Sequence, residues 1–432
     1  MTPSFVGMGL LLYKKSVLSN GVRVVTSRMD HVKSASLIIY VGAGSRHEID
    51  AQAGISHFLE HMVFKGTQKR PDPVQITQEV EGVGGMLNAA TSRESTNYWV
   101  KVPSAHLEDS FDVLGDMLRK SVFDMTEVEK ERGVIVEEIR GIDDTPDDLI
   151  HDVIDELVWD GQSVGRSVIG SEETVRAINR QQLVDYLQAQ YRPDRIVIAA
   201  AGDVDHDHVA DLTTRYFGDL LPSSVNTFVQ TEFLQREPRV MLLQRATNEA
   251  HLCLGLPALP YTDERRHAQD MIDAILSSGM SSRLFSEIRE RRGLAYEVYS
   301  YFREYADVGQ GVVYAGIDPQ RTSEALHAII AELRKLRTEL VPEEELQRTK
   351  ELRKGRIDMG LEDSRSVAGW IGGQELIFGD ILTPDQVIER IESVTSHDIL
   401  ELSQEIFTTE RLNLAVVGPV DIESEIHSLL DL

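Results

Sequence analysis

The chain reads as an α+β protein made of two homologous halves, each a sheet with helices packed on it. Two observations predict this. Residues Ile178 to Asp205 align without a gap on Val394 to Asp421, an offset of 216 residues in a chain of 432, and a repeat that long denotes two related domains and not a solenoid. Strand and helix signals also mix: Ser19-Asn20-Gly21-Val22 is a hairpin turn between apolar runs, Leu37 to Val41 is an apolar run of strand length, and helices follow.

From the N-terminus, Phe5 to Leu12 is apolar, but Lys14 and Lys15 come after it and no small-residue cleavage site follows. An export signal carries its positive charge in front, so we expect an ordered edge segment. No stretch reaches the roughly 18 apolar residues of a membrane span. The next strong element is the run Gly54 to Phe64, whose helical spacing keeps Ile55, Leu59, Met62 and Val63 for the core and leaves His57, Glu60, His61 and Phe64 on the opposite flank. Met86 to Ser92 and Thr96 to Val102 read as two strands around Arg93-Glu94-Ser95, and an edge strand there would offer unpaired amides to an extended peptide. Thr126-Glu127-Val128-Glu129 has the form of a capping box and predicts a helix through Ile139. Leu221 to Thr227 has the composition of a connection. It divides the chain into a first domain over 1–220, a linker over 221–238 and a second domain over 239–432.

The residues that carry chemistry lie in the first half. His57-Phe58-Leu59-Glu60-His61 places two imidazoles one helical turn apart, with Glu60 beside them at i+3 from the first. A hydrolytic Zn²⁺ takes three protein ligands and keeps an open position for water, whose pKa it lowers to about 7. The order H-x-x-E-H is the inverse of H-E-x-x-H and occurs among zinc peptidases. A third ligand would come from the acidic helix, where Glu131 and Glu138 are i, i+7 and nearly eclipsed, while Glu137 points away by a quarter to a third of a turn. The second half has no such motif. Four residues after His267 stands Met271, so only the first half is expected to bind zinc.

These stretches resemble the pitrilysin-type inverted zinc metallopeptidases, and within them the mitochondrial processing peptidase branch and its bacterial relatives. The matching segments are HFLEHMVFKGT (57–67), GGMLNAATSRESTNYW (84–99), ERGVIVEEI (131–139) and GMSSRLFSEIRERRGLAYEVYSY (279–301), so the resemblance spans essentially the whole chain. It implies a clamshell of two halves with His57, His61 and Glu138 as zinc ligands, Glu60 as the general base and Glu131 as a carboxylate behind the site. It also implies that Arg289 and Tyr296 reach the substrate and its developing oxyanion from the second half. The strand Asn88, Ala89, Ala90 and Thr91 would bind the peptide, and Asp148 with Asp152 would receive an arginine two residues before the cut. Phe64 would favour an apolar residue just after the cut.

Composition agrees with an intracellular enzyme. A net charge of −27 repels nucleic acid and anionic membranes; concentrated in a cleft it would draw basic peptides, and spread over the surface it would serve solubility alone. Cys253 is the only cysteine, which excludes a disulfide within the chain and favours a reducing, cytoplasmic compartment. The reading is therefore a zinc endopeptidase acting on extended peptides, as a homodimer or with a homologous subunit. The rival is a non-catalytic scaffold or partner subunit of a peptidase complex. The long glycine-rich loop of the processing peptidases' silent partner is missing before Gly279-Met280, which favours the catalytic type.

Overall fold

A computed structural model describes residues 4–6, 12–221, 228–420 and 429–432. The chain forms two compact units, and these do not follow the expected sequence halves. Residues 1–139, 167–229 and 356–386 make the first unit; 140–166, 230–355 and 387–432 make the second. Each half thus lends one helical segment to the other unit. The expected connection falls mostly on residues 222–227, outside the described residues, as does 7–11 of the apolar N-terminal stretch.

The first unit is built on a seven-stranded sheet. Its strands are β1 (Ser4–Val6), β2 (Tyr13–Val17), β3 (Arg23–Arg28), β4 (Ser34–Val41), β5 (Met86–Thr91), β6 (Thr96–Pro103) and β7 (Ile196–Gly202), in the order β1-β2-β3-β7-β4-β6-β5. β3 and β7 are parallel and the other neighbours antiparallel. The turn at Asn20-Gly21 joins β2 to β3, with Val17 opposite Arg23. Alternation along the strands divides the core. Val24, Leu37, Ile39, Tyr98, Val100 and Ile198 face a large cluster with the helices Ile55–Val63, Leu107–Lys120 and His206–Phe217. Val25, Ile38, Val197 and Ala199 face the other way, onto Val367, Ala368 and Ile371 of the lent helix Ser364–Phe378. That helix lies so close that a Cβ on Gly372 would stand 2.5 Å from the Ala199 Cβ. Its N-cap Asp363 pairs with Lys101 of β6, and Ser364 Oγ lies 2.9 Å from Ser36 Oγ.

The second unit repeats the plan. β8 (Arg239–Gln244), β9 (Ala250–Ala258), β10 (Ala295–Glu304), β11 (Gly309–Ile317) and β12 (Asn413–Gly418) form a sheet in the order β10-β11-β9-β12-β8. The lent helix Pro146–Trp159 covers one face through Ile150, Val153, Ile154 and Val158 against Cys253, Val312, Ala415 and Val417. The internal repeat is visible in detail. The helix Arg180–Gln190, capped by Asn179 and leading into β7, recurs as Ser396–Ile406, capped by Thr395 and leading into β12. Asp421, which ended the aligned segment, is outside the described residues.

One expected cap does not form. The acidic helix runs Met125–Asp144, and Asp124 Oδ1, not Thr126, accepts from the amides of Thr126 and Glu127 at 2.8 and 3.3 Å. Glu129 pairs with Arg132 at 3.1 Å instead of reaching back. An aspartate two residues earlier is the better acceptor for the exposed amides.

Candidate metal centre

The Ile55–Val63 helix is clamped at its start, which fixes where its imidazoles point. The buried Glu48 carboxylate accepts from the amides of Gly54 and Ser56, both at 2.8 Å, and Ser56 Oγ meets Tyr186 Oη at 2.8 Å. Such a carboxylate satisfies amides that no helical carbonyl can reach and complements the helix dipole. Gly54 has φ +92°, and a Cβ there would lie 2.4 Å from the Ile169 carbonyl oxygen. Ile55, Leu59, Met62 and Val63 are fully buried as the spacing predicts, and Phe58 joins them. Phe64, the residue just past the helix end, is half-buried and packs partly against the main core.

On the opposite flank, single donor atoms of His57, His61 and Glu138 all lie within 4.8 Å of one another, the only such group among the described residues. Glu138 Oε2 stands 3.9 Å from His57 Nε2 and 3.7 Å from His61 Nε2. These are too long for hydrogen bonds. They match the spacing of ligands around one ion, since tetrahedral ligands each about 2.1 Å from zinc are separated by about 3.4 Å. Two imidazoles and one carboxylate also form a donor set suited to Zn²⁺. The residues present therefore fit the ion that the motif implies. Burial, reinforced by the adjacent His61, pushes His57 down to about 4, leaving a neutral ring with a lone pair to donate.

Glu131, 2 % exposed, lies behind the pair. Its Oε2 is 3.1 Å from His61 Nδ1 and its Oε1 is 2.8 Å from Lys65 Nζ. Burial alone would raise this carboxyl, but hydrogen bonds from His61 and Lys65 outweigh it and hold the group below its ordinary value. Glu131 and Glu138, on one helix face as their i, i+7 spacing predicts, thus stand 3.1 Å from Nδ1 and 3.7 Å from Nε2 of one ring. Glu137, exposed on the same helix, is not in the donor group.

Glu60 is half-buried beside the imidazoles and accepts a hydrogen bond from the Thr91 hydroxyl. Burial holds its carboxyl above the usual value, against the opposing effects of Thr91 and His61. Thr91 ends β5, which lies at the sheet edge and among the described residues pairs only with β6, from Met86–Lys101 to Thr91–Thr96. Along it Asn88 and Ala90 are exposed while Ala89 and Thr91 are half-buried. Sequence reasoning assigned Thr91 to the peptide-binding strand and missed its hydroxyl's contact with Glu60. It also missed Lys65, although the i+4 step from His61 was readable.

The remaining expected residues belong to the second unit. Arg289 lies on a π-helical turn, Phe285–Arg291, with its guanidinium 4.5 Å from the Tyr296 ring centroid and 4.9 Å from that of Phe285. Tyr296 is 78 % exposed and sits in a bulge, for β10 pairs Ala295 with Ile317 and then Glu297 with Gly316. Bulges re-aim a side chain, and π-turns often mark functional sites. Asp148 is exposed and Asp152 half-buried on Pro146–Trp159. His267 and Met271 are both buried in the helix Arg266–Ser277 and make no donor group.

In sequence the chain is similar to known peptidases. The family model described as "Insulinase (Peptidase family M16)" matches residues 23–172, and "Peptidase M16 inactive domain" matches 177–353. The chain is 35 % identical over 408 residues to the "uncharacterized zinc protease YmxG" of Bacillus subtilis, covering 94 % of this chain and 98 % of that one. Among solved structures, a protease from Helicobacter pylori superposes with a TM-score of 0.89 at 23 % identity, covering 95 % of this chain and all of that one. A chain of complex III from Candida albicans gives 0.83 at 19 % identity, with 97 % and 100 % covered. At those identities the structural likeness speaks for the fold.

Proposed function

The chain belongs to the M16 (insulinase) peptidase family, and from that premise we propose that it is a zinc-dependent endopeptidase acting on extended peptides. The observation that carries the reading is the convergence of His57, His61 and Glu138 beside a half-buried Glu60. His57, His61 and Glu138 would hold the ion, which supplies Lewis acidity to polarise a scissile carbonyl and lower the pKa of water.

The rest falls to the chain's own side chains. Glu60, held by Thr91, takes a proton from the attacking water and returns it to the leaving amine. The free edge of β5 gives the substrate backbone a strand to pair with. Arg289 and Tyr296 stabilise the oxyanion, and their ring-stacked placement keeps two donors together. Asp148 and Asp152, one turn apart, favour an arginine before the cut, and Phe64 an apolar residue after it. No described helix is long and apolar enough to cross a membrane. We read the enzyme as cytoplasmic, acting as a dimer of itself or with a homologous subunit.

The test is zinc analysis of the purified chain with cleavage of a peptide library by wild type and Glu60→Gln. One zinc per chain is expected in both, with hydrolysis at least ~10²-fold slower in the variant, the usual scale for removing a positioned base. A wild type that binds zinc and peptide but cleaves nothing would make this chain a scaffold subunit. A cleavage profile indifferent to basic residues would sink the role of Asp148 and Asp152.

A further inference from the structure

His57 and His61 are held very differently. His57 Nδ1 is buried and has no hydrogen-bond partner, so that ring is placed by packing alone. One of its neighbours is His61, whose ring meets it edge-on with centroids 4.6 Å apart. His61, by contrast, directs Nδ1 to Glu131 at 3.1 Å. A metal-binding imidazole needs its second nitrogen fixed, because that bond selects the tautomer and orients the lone pair. Here that bond runs to a carboxylate that itself needs holding.

Glu131 is nearly inaccessible, and the hydrogen bonds and ion pairs described for its two oxygens go to His61 and Lys65. Lys65 follows the helix directly, its amide bonded to the Met62 carbonyl at 3.1 Å, and its side chain is only 26 % exposed. It is therefore anchored at both ends, with the ammonium 2.8 Å from the carboxylate. Without it a buried carboxylate would keep one donor and could turn about its last bond, carrying His61 with it. We propose that Lys65 is a positioning residue of the metal centre: through Glu131 it sets the ring of His61, and through ring contact that of His57. The proposal rests on the zinc reading above but concerns a residue outside the donor group.

Lys65→Met keeps the length of the stem and removes the charge, and Lys65→Arg restores a donor. Zinc affinity, measured by competition with a chromogenic chelator, should weaken about tenfold in Lys65→Met, the lower end of what losing outer ligand support costs. Lys65→Arg should recover to within about threefold. In the zinc-free protein the ring nitrogen NMR signals of His61 should show one fixed tautomer in wild type and an averaged one in Lys65→Met. Adding Lys65→Met to Glu131→Gln should weaken zinc no further, because the two act in series. If wild type binds one zinc and Lys65→Met binds it within twofold as tightly, the proposal is overturned while the peptidase reading stands. A Lys65→Met that melts lower at unchanged zinc affinity makes the lysine merely structural and overturns the proposal as well. A wild type that binds no zinc overturns both.

Discussion

The side chains around the metal centre separate what a sequence states from what only coordinates reveal. Helical periodicity put His57, Glu60 and His61 on one face and Glu131 with Glu138 on one face of another helix, whereas the choice of Glu138 as third ligand came from the family resemblance. The hydroxyl of Thr91 on Glu60 was not legible, since it joins residues 31 apart that only the sheet edge brings together. Its consequence can be measured. Thr91→Val should lower kcat about tenfold with KM and zinc content little changed, the scale of one hydrogen bond to a charged group, and Thr91→Ser should restore it. Equal losses in Val and Ser would assign the effect to strand packing. A second prediction concerns Glu304 on β10, whose carboxyl is pushed up to about 7 by burial and by Asp270. Between its ordinary value and about 7 the folded chain keeps a proton that the unfolded chain releases, so this group removes stability as pH rises through that window. His267, pushed down to about 4 by burial and nearby arginines, acts in the opposite sense over 4 to 6.5. The comparison must therefore be with Glu304→Gln. Relative to that variant, the wild-type urea midpoint should fall from pH 5 to pH 7.5, and parallel profiles would refute the assignment.

Among elements, those with strong local signals formed as read. The hairpin at Asn20-Gly21, the strand at Leu37 to Val41 and the helix bearing His57 each carry periodicity and turn chemistry in one short stretch. The cap at Thr126 failed because two acceptors compete within three residues, and pattern does not rank them. The π-turn at Arg289 and the bulge at Tyr296 were unreadable, for each depends on register with a neighbouring element. The start of the Ile55–Val63 helix is tightly held by the Glu48 carboxylate and the close approach at Gly54. Gly54→Ala forces a Cβ against the Ile169 carbonyl at a φ that costs about 1–3 kcal/mol even without a clash. We expect a lower urea midpoint and weaker zinc binding together, because the helix must shift to relieve the contact. A variant with unchanged zinc affinity would show that the helix start does not govern the ligands.

At the scale of the molecule, the repeat announced two related halves but not that they trade helices. Nothing in local spacing says which sheet a helix will cover; Ser364–Phe378 and Pro146–Trp159 are amphipathic pieces whose destination is decided by the other half's apolar face. The fragments 1–221 and 222–432, made separately, should therefore lack cooperative unfolding and near-ultraviolet circular dichroism, and made together should recover both as a one-to-one pair. Independent folding of either fragment would contradict the exchange.

The same exchange sets a timetable for the nascent chain. The strands of the first sheet have all been synthesised by Gly202, yet the helix that covers Val25, Ile38, Val197 and Ala199 is complete only at Phe378. At translation rates of about 5–20 residues per second, that leaves one face of the sheet bare for roughly 10 to 35 seconds on the ribosome. An apolar sheet face exposed for so long is what a chaperone binds and what neighbouring nascent chains adhere to. Slowing translation between those two points should send more of this protein into aggregates, while slowing it after Phe378 should not.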